Sequence, residues 1–82
     1  MNNSFYNDFA ARFAASTLTS LVESFNSQVG NRGFNSVRAA HDRALIDELV
    51  RRGIDVSAVY DGTATSYAHH VELDNNRLVI RK

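Results

Sequence analysis

The stretch VELDNNRLVI, residues 71–80, decides the fold. A two-residue turn at Asn75-Asn76 pairs Asp74 with Arg77, Leu73 with Leu78, Glu72 with Val79 and Val71 with Ile80. Both large apolar pairs then share one face, and the charged ends Asp74 and Arg77 are opposite in sign. A register one residue off would split the apolar pairs between the two faces. The chain therefore ends in an antiparallel hairpin with one face to bury.

Upstream, TATSYAHHVEL (residues 63–73) continues the alternation, with Tyr67, His69, Val71 and Leu73 on one face. Asp61-Gly62 is a favoured type I′ hairpin dipeptide. Before it, IDVSAVY (residues 54–60) places Ile54, Val56, Ala58 and Tyr60 on one side. These runs predict a three-stranded meander over 54–82.

Gly53 stands where the period changes from two to helical, at the left-handed position that follows a helix, with Ile54 supplying the apolar contact of that motif. The helix it closes spans 36–52, with Ser36 as a candidate cap and Arg51 and Arg52 in the last turn against the dipole. Opposite charges fall at i,i+4 in Arg38–Asp42, Arg43–Asp47, Asp47–Arg51 and Glu48–Arg52, each contributing a few tenths of a kcal/mol on an exposed face. Two glycines and two asparagines mark residues 29–35 as a linker. Residues 4–28 contain neither Gly nor Pro and read as one long helix, with Ser4 as a candidate cap and Asp8 in an early turn. The expected fold is one α+β domain over 1–82 in ααβββ order, two helices covering one face of the meander.

Composition narrows the function. Lys+Arg and Asp+Glu are 9 each in 82 residues, so nothing in the net charge calls for nucleic acid or an acidic membrane. With no cysteine there is neither disulfide nor thiolate metal site nor cysteine nucleophile. No apolar run approaches the ~20 residues of a membrane span, and the first residues, MNNSFYNDF, lack the basic start and apolar core of a secretory signal. A cytoplasmic location and no membrane partner are the expectations.

The first helix carries the most pointed signal. Phe5, Phe9 and Phe13 recur every four residues and stack along one side. On a straight helix they centre roughly 160° from the stripe of Leu18, Leu21, Val22, Phe25 and Val29. Three readings follow. The helix bends near residues 16–20, where hydroxyls compete for backbone hydrogen bonds, and the rings rejoin the core. Alternatively the rings pack on a second copy of the chain, or dock into a groove on another protein. Burying one Phe is worth roughly 1.5–3 kcal/mol, so something covers them.

Catalytic patterns are weak. Adjacent His69 and His70 point to opposite faces of a strand and cannot chelate together. His41 sits on an apolar line between Val37 and Leu45 and reads as a packing residue. No G-x-S-x-G elbow is present, and GNRG (residues 30–33) has neither the spacing nor the lysine of a phosphate loop. Asp42, Asp47 and Glu48 read as solvated ion-pair partners, not tuned acids. Neither an enzyme nor a cofactor nor a metal site is expected. The expected role is a protein-interaction module that self-associates through Phe5, Phe9 and Phe13. The alternative is nucleic-acid binding or regulation through Arg32, Arg38, Arg77, Arg81 and Lys82, with the sheet edges as further places for a partner strand.

Overall fold

In a computed structural model, which describes residues 4–30, 33 and 35–81, three helices precede a two-stranded antiparallel sheet. The elements are α1 (Ser4–Ala14), α2 (Leu18–Asn26), α3 (Ser36–Arg51), β1 (Val71–Asp74) and β2 (Arg77–Ile80). The Ser4 side chain, Arg32 and Lys82 lie outside the described residues, so the cap and the phosphate contacts expected of them do too.

The hairpin follows its expected register at every position, Val71↔Ile80 through Asp74↔Arg77. Asn75 and Asn76 adopt φ of 51° and 64°, the left-handed pair that a type I′ turn requires. Each apolar cross-strand pair has one member in the core: Val71 and Leu78 are buried, whereas Ile80 and Leu73 stay half exposed. The outer edge of β1 is sealed by α2. Asn26 donates from Nδ2 to the Val71 carbonyl at 3.0 Å and accepts the Val71 N–H on Oδ1 at 2.8 Å, so its amide imitates a neighbouring strand.

The expected third strand is reduced to one rung. Asp55 donates to the Asn76 carbonyl at 2.8 Å and accepts the Leu78 N–H at 2.9 Å, a single parallel bridge to Arg77. Continuing that ladder needs the Ser57 N–H, and the Asp55 carboxylate has taken it at 2.8 Å. The chain then coils, with Val59 and Tyr60 both donating to the Val56 carbonyl. The Asp61-Gly62 hairpin fails for a related reason. Asp61 has no positive φ, and its carboxylate accepts the N–H groups of Thr63 and Ala64, both at 2.8 Å. The result is a four-residue loop closed by a lone Tyr60↔Thr65 bridge. Residues 67–70 are not strand, and His69 and His70 are both exposed.

The long N-terminal helix is also two elements. Thr17 is extended at φ −72° and ψ 158° and caps α2, accepting the Ser20 N–H at 3.1 Å. The Ser16 hydroxyl closes α1 by donating to the Arg12 carbonyl at 2.9 Å. Hydroxyls thus break the helix within the segment where they compete for the backbone. The break lets Phe13 join Leu21, Phe25, Leu45 and Leu49 in one core.

On α3 the cap is Asn35, one residue before Ser36, accepting the Arg38 N–H at 2.9 Å. The far end closes as expected. Gly53, at φ +81°, donates to Val50, and Ile54 donates to Leu49 at 3.0 Å, with both Ile54 and Leu49 buried.

Candidate binding groove

α3 is a two-faced helix. One face receives α1. The rings of Phe9 and Phe13 meet His41 edge-on at 5.0 and 5.2 Å, and the Tyr6 hydroxyl donates to Asp47 Oδ2 at 2.5 Å. His41 is therefore a packing residue whose ring lies against two phenylalanines, with Asp42 Oδ1 at 3.1 Å from Nδ1.

Glu48 is the exception to a solvated helix face. It is only 6% exposed and binds two arginines. Arg51 donates to both its oxygens at 3.0 and 2.5 Å, and Arg52 donates from Nε to Oε2 at 2.7 Å. The two-pronged grip of Arg51 holds the carboxyl below its ordinary range despite the opposing effect of burial. Arg52 then reaches across to the end of α1, donating to the carbonyls of Phe13 at 2.9 Å and Ser16 at 2.7 Å. A cation thus sits at the C-terminal end of α1, where it complements the helix dipole.

Beside the face that receives α1, two rows of side chains spaced four residues apart, Arg38–Asp42–Ile46 and Ala39–Arg43–Asp47, line a groove of about 580 Å³. Tyr60, Thr63, Ala64, Thr65 and Tyr67 form the opposite wall, with Gly33 at one end. Tyr67 packs on Phe25, ring centroids 4.5 Å apart, and the Arg38 guanidinium lies over the Tyr67 ring, 5.9 Å from its centroid. Burial, then the charge of Asp42, pushes the Tyr67 hydroxyl above its usual range. Arg38 is held inward by Asp42 at 3.6 Å and by the carbonyls of Gly33 and Gln28. The Arg43–Asp47 pair expected from spacing is not formed, and Asp47 takes the Tyr6 hydroxyl instead. Among the described residues Arg43 makes no ion pair, although it stands exposed on the groove wall.

The residues singled out from sequence are thus distributed unevenly. Phe9 and Phe13 come together, 6.3 Å between centroids, but against α3; Phe13 is 3% exposed and Phe5 is 54% exposed. Arg38 serves the groove and the start of α3. Arg77 and Arg81 are exposed on the hairpin, Arg77 beside Asp74 at 3.8 Å and Arg81 bonded through its backbone to His70. Among the described residues no three His, Asp or Glu side chains converge as a metal site, and no helix is long and apolar enough to cross a membrane. Three further shifts answer to local partners: Tyr6 is raised by its bond to Asp47, and Asp55 and Asp61 are lowered by the backbone N–H groups they accept. Sequence reasoning misses the groove because the alternation through residues 60–67 reads as paired strands. The legible hint is the doubled i,i+4 row on α3, which has more polar positions than one solvated face needs.

No protein-family model matches the chain, and no curated protein or solved structure matches it.

Proposed function

We propose that this chain is a non-catalytic protein-interaction module whose docking surface is the groove between α3 and residues 60–67. The observation that carries the reading is the groove's make-up: an open cleft of about 580 Å³ walled by α3 on one side and, on the other, by a loop closed by the lone Tyr60↔Thr65 bridge. Two tyrosines supply rigid contact area, and threonine hydroxyls supply hydrogen bonds, which suits an extended polypeptide. Charge selects among such segments. Arg38 is committed to Asp42 and Asp47 to Tyr6, which leaves the Arg43 guanidinium to meet a carboxylate. The occupant we favour is therefore an extended acidic peptide segment.

The alternatives have less behind them. A self-association surface made of all three phenylalanines would need Phe13, which the chain's own core already holds. Nucleic-acid binding would rest on Arg77 and Arg81, which share the outer hairpin face with Glu72 and Asp74.

Titration of an alternating glycine–glutamate octapeptide, followed by amide chemical shifts, tests the proposal. The expected result is perturbation centred on Arg43, Thr63, Ala64 and Thr65, with Arg43→Glu shifting the preference to the lysine counterpart. Perturbation confined to the hairpin or to α1, or none with either peptide, rejects the groove as the docking surface.

A further inference from the structure

We infer that α1 is an exchangeable element, and that a second copy of this chain is a partner: in the dimer each α1 seats on α3 of the other copy. The contacts of α1 make this feasible. Its ring contacts, the Tyr6–Asp47 bond and the Arg52 bonds all go to α3 and its C-terminal cap, so α1 leaves as one piece and returns as one piece. Remaking the same contacts in trans adds no new chemistry, and the balance is set by concentration and by the hinge.

The hinge is three residues, 15–17, and contains neither Gly nor Pro. Its folded-back form is held by side chains: the Ser16 hydroxyl on Arg12, the Thr17 cap on Ser20 and the Arg52 guanidinium on the Ser16 carbonyl. All three residues are compatible with helix, so opening the hinge joins α1 and α2 into one continuous helix. On that straight helix the row of Phe5, Phe9 and Phe13 points roughly 160° away from the stripe that anchors α2 in the core. The row is then carried off its own α3 and needs another copy's α3 to cover it. The fold-back and the straight helix are two ways of burying the same rings, one within a chain and one between chains.

Because the chain has no cysteine, the test can be placed at will. One variant carries Tyr6→Cys alone and another carries Asp47→Cys alone, at a half-buried and an exposed position that touch in the folded chain. The two are mixed, refolded at millimolar concentration and treated with a short bismaleimide. Exchange predicts a covalent link from position 6 of one chain to position 47 of the other, while the double variant at low concentration links within itself. Absence of the interchain product when the double variant does link overturns the proposal.

A hinge series in the unmodified background reads the same equilibrium by light scattering. Ser16→Ala with Thr17→Ala removes the two hinge side chains that hold the fold-back and should raise the dimer association constant on the order of ten-fold. Insertion of Gly-Gly-Ser between Ala15 and Ser16 relaxes the hinge and should abolish the dimer. A dimer indifferent to both changes is a surface dimer, and exchange is then rejected.

Discussion

The C-terminal hairpin and the stretch of residues 55–66 begin from the same ingredients, alternating residues around an Asx-containing turn, and end differently. In the hairpin, backbone pairs with backbone over four rungs and Asn75 and Asn76 bend into left-handed conformations. In the upstream stretch, Asp55 and Asp61 turn their carboxylates onto N–H groups two or three residues ahead, so the ladder stops at isolated bridges. Hydroxyls at Ser16 and Thr17 break the N-terminal helix in the same way. Alternation and periodicity govern the structure only where short polar side chains leave the backbone to itself.

The largest effect expected from this contrast lies inside the hairpin. Leu78 is buried and its cross-strand neighbour Leu73 is half exposed, although the two are alike in sequence pattern. Leu78→Ala should cost about 2–5 kcal/mol in urea denaturation, and Leu73→Ala should stay within about 0.5 kcal/mol of wild type. Equal losses would mean that the hairpin's inner face is covered along its whole length, and that the contrast in burial is wrong.

How much is legible follows the same line. The hairpin register, Gly53 as the end of α3 and the α+β class can be read because each depends on backbone geometry and apolar spacing. The helix break is legible as one of several outcomes, from the hydroxyl cluster alone. The groove is not, since it depends on residues 60–67 failing to become strand. Nor is the burial of Glu48, because its i+3 and i+4 arginines resemble the exposed pairs of any solvated helix until α1 is laid over them.

That buried carboxylate gives the next effect. Glu48→Gln keeps the shape and loses the charge that holds Arg51 and Arg52, and should cost about 1.5–3 kcal/mol at neutral pH. Its folded pKa lies below the unfolded value, so its contribution is fully present above about pH 4.3 and is lost as pH falls through the folded value. The gap between wild type and Glu48→Gln should therefore close on acidification. A gap that persists unchanged to about pH 3, below the unfolded carboxyl value, would show that packing at this position, and not the ion pair, carries the effect. Arg52→Ala should in addition fray the end of α1, seen as faster amide exchange at Ser16 and Ala15, whereas Arg51→Ala should leave that exchange alone.

The smallest effect is the most pointed. If the Asp55 carboxylate ends the third strand by capturing the Ser57 N–H, then Asp55→Ala frees that donor for the Leu78 carbonyl, the next rung of a parallel ladder. Ser57 would gain protection from amide exchange, and Ile80, whose N–H faces the same side of β2, would gain it with Ser57. Acid should produce a weaker version in the wild type. The backbone N–H of Ser57 holds the Asp55 carboxyl below its ordinary value, and protonation removes much of its power as an acceptor. Against this stands the turn in which Val59 and Tyr60 share the Val56 carbonyl, which competes for the same backbone. If Ser57 and Ile80 stay unprotected in Asp55→Ala, that turn is what stops the strand. The buried Val56 and Val59 would then be its cause, and the lesson would shift from polar capture of the backbone to apolar spacing of three in place of two.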